Sequence, residues 1–385
     1  MGTGSGHTVS IGDIGVVDGM MHIGDEAMFE QFLDQARARG VNDVVAISSN
    51  PAETTERYGI RSIARFGLTG SRDEMLARAN LVLAGDLPAD DPAHETLDAI
   101  AAARRVVVTG AGNLASTWPV HIIEHWLIAM LADRAGVPFV ITGQTLGPEL
   151  TASDAALLSE MLDTAALVGV REGASFRLAD TLGVPEELLS QQVDDASFLA
   201  IDRPTPDPGS SPYCLVSLST HVGAADKDAF QGAVAALLDD IAARGLDIVF
   251  LAHFGPIDGD PLRGDVVMHE AVRTRMTAPS LVEPTGTSTE AAWLARRASL
   301  VVSSRYHPAV FAAAAGVPTL GIAVDEYTTV KLTGALGAFG QSGVISSAEL
   351  LAGEAPAAVA RVRAEGGTRG NPEKSRMWWD RVVGD

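Results

Sequence analysis

The chain has 385 residues, of which 46% are hydrophobic, 20% charged and 5% aromatic, and it carries a formal net charge of −21. That length exceeds what one hydrophobic core supports, so two domains are expected. The acidic balance excludes a nucleic-acid binder, which needs a basic face to release phosphate counterions, and the single cysteine, Cys214, excludes both an internal disulfide and a thiolate zinc site.

At the N-terminus, MGTGSGHTVSIGDIG lacks the basic and apolar regions of a signal peptide, and no run of about 18 apolar residues follows. The reading is a cytoplasmic protein with no transmembrane segment. Peripheral attachment at the inner membrane face stays open, and the oligomeric state is not legible. GMMHIGDEA then brings His22, Asp25 and Glu26 close together.

A repeated pattern follows: a short apolar run, a Gly- or Ser-containing turn, then a helix-length stretch. VNDVVAISSN, ANLVLAGD, RRVVVTGAGN, VPFVITGQTLGP and AALVGVREG carry it between Val41 and Val170. Apolar strands separated by helices predict a parallel sheet covered on both faces, hence a doubly wound α/β domain. DRPTPDPGSSP, residues 202–212, reads as the linker. The pattern restarts with YCLVSLSTH, a helix over about 226–244, LDIVFLAHFG, a second helix, SLVVSSRYHP and VPTLGIAVD. The final NPEKSRMWWDRVVGD has a helical apolar face of Met377, Trp378 and Val382. The expected organisation is thus an N-terminal α/β domain over 1–204, a second over 205–365 and a C-terminal helix, 366–385, packing back across the domain interface. Two Rossmann-like domains facing a cleft place ligands at the carboxyl ends of the strands.

Polar residues at those ends are the candidates. Arg171, in GVREGAS, and Arg305, in SSRYHP, each sit where a strand gives way to a helix, so an anion there meets a guanidinium fork and helix N-terminal amides. One arginine from each domain would clamp a small dianion; equally, each could pair with a nearby acid, Arg171 with Glu172 for instance. Ser304 adjoins the same turn. His307 lies two residues beyond Arg305, suited to proton transfer near neutral pH or, alternatively, to bonding the turn's backbone. Asn113, Gln144, His221 and His253 occupy further strand ends as acceptor or cleft-lining residues. GAGN and GQTLGP match neither a Walker A loop nor a G-x-G-x-x-G fingerprint. HIIEH, 121–125, matches H-x-x-E-H but lacks a third ligand, so no metal site is expected and a helix face turned toward the cleft is the better reading.

Taken in order, HIGDEA, TGAGN, GQTLGP, VREGAS with LADTLGV, VDDASFLA and SSRYHPAVFAAAAGVPTLGIAVDEYTTVK resemble the polysaccharide pyruvyl transferase family. The resemblance implies a two-domain fold like that of GT-B glycosyltransferases and transfer of a pyruvyl group from phosphoenolpyruvate to a sugar as a ketal. It implies no cofactor; phosphoenolpyruvate is a co-substrate, and the carbohydrate acceptor is free, nucleotide-activated or lipid-linked. Arg305 and His307 match the family's donor-binding and catalytic Arg and His, and Arg171 matches an arginine that helps hold the donor. Asp25 or His22 would activate or orient the acceptor. The family's N-x-G-D reads His22-Ile23-Gly24-Asp25 here, its G-G-G reads Gly110-Ala111-Gly112, and its R-L-H reads Arg305-Tyr306-His307. The first two departures fall in the expected acceptor domain. Two rivals stay open: a GT-B glycosyltransferase using a nucleotide sugar, and a catalytically silent binding protein of the same fold.

Overall fold

The computed structural model describes residues 6–202, 211–257 and 262–384. Two compact α/β units emerge, the first comprising Met1–Val17, Met28–Asp195 and Glu373–Asp385, the second Asp18–Ala27 and Ala196–Pro372.

In the first unit, β1 (Thr8–Ile11) is joined to a large sheet whose further members, after β2 (Met20–His22) of the second unit, are β3 (Val44–Ser48), β4 (Arg61–Ala64), β5 (Arg105–Val108), β6 (Ala111–Leu114), β7 (Phe139–Leu146), β8 (Ala165–Val170) and β9 (Leu189–Gln191). The order is β4-β3-β1-β5-β7-β8-β9 with β6 beside β7, and every pairing is parallel. Successive side chains on a strand point to opposite faces, and the cores follow that rule. Val45, Ile47, Val106, Val108 and Ile141 join one cluster with Ile122, Leu127 and Phe139. Ala46, Val107 and Val140 join the other with Phe29, Phe32, Trp378 and Trp379.

Three expectations shift here. ANLVLAGD is not a strand: Ser71 and Glu74 form a capping box that starts the helix Arg72–Ala84, whose Met75, Ala79 and Val82 are buried at helical spacing before Gly85 ends it in the left-handed region at φ 76°. The C-terminal helix, Glu373–Val383, belongs with the first unit and buries Trp378, Trp379, Val382 and Val383, whereas Met377 is 64% exposed. Its apolar face is therefore turned from the expected one by the tryptophan pair. HIIEH lies on the helix Pro119–Ala135, where Glu124 accepts a bond from Arg65 Nη2 at 2.5 Å and His121 Nε2 is 3.9 Å from Asp13. Glu124 is spent on this local network, whereas His121 Nδ1 and both ring nitrogens of His125 are buried without hydrogen bonds.

The second unit continues with β10 (Tyr213–Ser217), β11 (Asp247–Leu251), β12 (Phe254–Pro256), β13 (Ser280–Glu283), β14 (Leu300–Ser303), β15 (Thr319–Ala323) and β16 (Val344–Ser346). Its parallel sheet runs β13-β11-β10-β14-β15-β16. Counting strands within each unit, both sheets follow the doubly wound order in which direction reverses beside the first strand, and ligands bind at the carboxyl ends there. In the second unit that point is the pair β10 and β14.

The unit boundaries differ from the expected ones. The first stretch of the chain returns to itself only after Asp18–Ala27 has joined the second unit, because β2 pairs antiparallel with β12, His22 opposite Phe254, and Ile23 N donates to His253 O at 3.0 Å. The later crossing falls between Asp195 and Ala196, ahead of 204. Of the expected linker, residues 203–210 lie outside the described residues. Among the described residues, no helix is long and apolar enough to cross a membrane.

Candidate active site

The switch point of the second sheet is built from serines. Ser217 ends β10 and Ser303 ends β14, and Ser303 Oγ lies 2.9 Å from Ser217 O and 2.8 Å from Arg305 O. Ser304 N donates to Ser217 O at 3.1 Å, while Ser304 Oγ accepts from Ser219 N at 2.8 Å. These bonds brace the two strand ends and aim the next helix, Tyr306–Ala314, which starts with no side-chain cap. Ser304, expected to bind the donor, is 6% exposed, and its hydroxyl holds the loop after β10.

Arg305 is the residue before that helix. Its Nε donates to Asp265 Oδ2 at 2.8 Å and its Nη2 to Asp265 Oδ1 at 2.5 Å, a two-bonded ion pair with a fully buried carboxylate. Asp265 precedes the helix Val266–Arg273 without capping it, so its oxygens are committed to Arg305 and to Phe254 N, 2.9 Å away. Burial raises the Asp265 pKa, and the Arg305 charge opposes that rise. The guanidinium also lies 5.9 Å over the Phe254 ring, and its side chain keeps 27% of its surface exposed. Planar fork, locked edge and open remainder are what anion recognition by arginine needs.

His307 meets the N-terminal motif. Gly24 backs directly onto the imidazole: a Cβ there would fall 1.7 Å from His307 Nδ1. On the same motif His22 stacks on Phe254 at 4.0 Å, with its Nδ1 3.9 Å from Asp25 Oδ2. Phe311 and Tyr306 flank His307 at 6.0 and 5.1 Å. His22, Asp25, Glu26, His253, Ser304, Arg305 and His307 therefore share one unit, not two. This corrects the assignment of HIGD to the N-terminal domain, and the cause is the β2–β12 ribbon. Glu26 is buried. His253 is also buried, its Nδ1 3.0 Å from Ser217 Oγ, its Nε2 without a hydrogen bond, and burial pushes its pKa down to about 3. A neutral His269 accepts from Leu218 N at 2.9 Å beside it. His221 stands apart, bonded to Asp325 at 2.8 Å.

The remaining candidates lie in the first unit. Arg171 is 2% exposed. Its Nε donates to Thr145 Oγ1 and Glu172 Oε1 at 2.8 and 3.0 Å, its Nη1 to Asp194 Oδ2 at 2.6 Å. Arg171 is thus paired with Glu172 and Asp194, as the pairing reading expects. Gln144 Nε2 donates to Thr109 O at 2.6 Å, and both Gln144 Oε1 and Asn113 Oδ1 are buried without hydrogen bonds. Asp195, within VDDASFLA, lies outside the candidates that the sequence offers. Its Oδ1 accepts from Thr142 Oγ1 at 3.0 Å, its Oδ2 has no hydrogen bond, and burial together with the charge of Asp194 pushes it up to about 8. Adjacent carboxyls were the visible signal. Asp265 and Phe254 carried no comparable one.

These sheets and the site at a switch point define an α/β protein of the GT-B type. A putative UDP-N-acetylglucosamine 2-epimerase from Listeria monocytogenes has a similar fold, at TM-score 0.61 and 10% identity over 98% of this chain and 94% of that one. The UDP-GlcNAc 2-epimerase of Methanocaldococcus jannaschii gives 0.61 and 11% over 98% of each. The glycosyltransferase of kitacinnamycin gives 0.52 and 13% over 98% and 96%. At such identities the likeness speaks of fold alone. A search of curated proteins gives no match. The sequence pattern of polysaccharide pyruvyl transferase matches residues 22–326, and the chain belongs to that family.

Proposed function

We propose that the protein transfers the pyruvyl group of phosphoenolpyruvate to a carbohydrate, forming a cyclic ketal. Family membership supports a transferase acting in polysaccharide synthesis. The observation that carries the finer reading is the contact of Gly24 with His307, which joins the HIGD and SSRYHP motifs into one constellation.

Phosphoenolpyruvate presents a phosphate and a carboxylate on a three-carbon frame. Arg305, oriented by Asp265, and the uncapped start of the helix Tyr306–Ala314 offer donors suited to such an anion. His307 delivers a proton to the methylene carbon while a sugar hydroxyl attacks the adjacent carbon. The phosphate then leaves with its bonding electron pair, and a second hydroxyl closes the ketal, its proton returning to the His307 ring that gave one up. Asp25, next to Gly24 in the chain, takes the attacking hydroxyl's proton, and His22 holds Asp25. No cofactor takes part, and the acceptor is free, nucleotide-activated or lipid-linked.

Titration with phosphoenolpyruvate and with UDP- and GDP-sugars, followed by an acceptor screen, tests this. His307→Ala should bind phosphoenolpyruvate but transfer nothing, and Arg305→Ala should lose binding. Normal turnover by His307→Ala, or heat from a nucleotide sugar alone, overturns the reading.

A further inference from the structure

At the far end of the helix Tyr306–Ala314, a cavity of about 670 Å³ opens within the second unit, lined by Ser197, Phe198, Trp293, Arg296, Arg297 and Arg369 among others. Nine residues of helix separate it from Arg305, roughly 13 Å at the usual rise. It shares none of its lining with the site above.

Three arginines on one cavity are notable in a chain with 49 acidic residues against 28 basic ones. Several arginines elsewhere in the structure face carboxylates, yet among the described residues none of these three has an ion-pair partner. Arg296 spends its fork on two carbonyls, Leu199 O at 2.7 Å and Ser197 O at 3.1 Å, and burial pulls its pKa down to about 10. Carbonyls hold the guanidinium plane but leave its charge uncancelled. Arg297 is held over the Trp293 ring at 4.9 Å. Arg369 comes from a loop fastened to the helix end, where Gly370 N donates to Ala314 O at 2.9 Å, and Gly316 approaches the Arg369 amide within 3.2 Å of where a Cβ would stand. Ser197 Oγ is buried with no hydrogen bond. Arg296 is partly buried, so water screens its charge incompletely and an anion beside it is favoured.

We infer that this cavity is a second binding site, for a phosphorylated sugar. The guanidinium groups match a phosphate in charge and fork geometry. A lone phosphate would leave most of the cavity empty, whereas its volume is that of an ordinary small-molecule site, and the apolar faces of Phe198 and Trp293 suit the carbon face of a sugar ring. The inference does not rest on pyruvyl transfer.

Calorimetric titration of the full chain with glucose 1-phosphate, and with glucose as control, tests it. Saturable binding of glucose 1-phosphate is expected in the wild type and equally in Arg305→Ala, with no heat from glucose. The Arg297→Ala/Arg369→Ala double variant should bind at least roughly tenfold more weakly, the loss of charge-assisted hydrogen bonds. Arg297→Lys/Arg369→Lys should fall between. Both arginines are exposed, so an unchanged melting temperature should accompany the loss. Equal affinity in wild type and the alanine double variant, loss of all binding in Arg305→Ala, or no saturable binding overturns the site.

Discussion

Gly24 and His307, far apart in the chain, touch so closely that any side chain at 24 would occupy the imidazole's place. Glycine is required there by space, since its φ is not in the left-handed region. Gly24→Ala should push His307 aside, destabilise the fold by about 1–3 kcal/mol as overpacking does, and abolish ketal formation. Denaturant unfolding and the His307 ring resonances check this; unchanged resonances in a fully stable variant would sink the contact.

The Arg305 and Asp265 pair should behave as a unit. Arg305→Met leaves a buried carboxylate without its counter-charge, while Asp265→Asn keeps the shape and removes the charge. With Arg305 27% exposed, solvent screening reduces the effect, and a coupling on the order of 1–2 kcal/mol is expected in a double-mutant cycle. Additive effects would show that the two bonds do not hold the guanidinium.

Asp195 makes stability depend on pH. Burial first, then the charge of Asp194, raises it to about 8, against roughly 3.9 in an unfolded chain. The folded protein holds that proton through neutral pH, so the contribution is full below about pH 4 and is lost as pH rises through about 8. Relative to Asp195→Asn, which mimics the protonated acid, the wild type should lose up to about 1.4 kcal/mol per pH unit across that window. Urea midpoints of both proteins from pH 5 to 8 measure this, and a constant gap between them would contradict it.

The C-terminal helix should be integral to the first unit. Trp379 is 1% exposed and 6.4 Å from Phe32, and Trp378 Nε1 donates to Thr142 Oγ1 at 2.9 Å, the hydroxyl that bonds Asp195. Trp379→Ala should cost about 3–5 kcal/mol, whereas Met377→Ala, at an exposed position, should cost under about 0.5 kcal/mol. Similar unfolding midpoints for the two variants would refute this packing.

Both parallel sheets were legible because a strand buried on two faces must be apolar throughout, and RRVVVTG, LDIVFLA and SLVVSS satisfy that locally. ANLVLAGD misled because a short apolar run suits a buried helix face equally, and only the Ser71 cap decides. Arg305 and His307 could be picked out because a strand-to-helix seam with charge is chemically odd by itself. What lay beyond reach was pairing across distance. Arg171 and Arg305 look alike in sequence, yet one is enclosed by Glu172, Asp194 and Thr145 while the other keeps an open side against Asp265. The sequence by itself determined the α/β class, the family and the seam that carries Arg305 and His307. Only the tertiary structure decided that HIGD sits against that seam, because a β-ribbon's partner is chosen by hydrogen-bond register between segments whose own residues do not name each other.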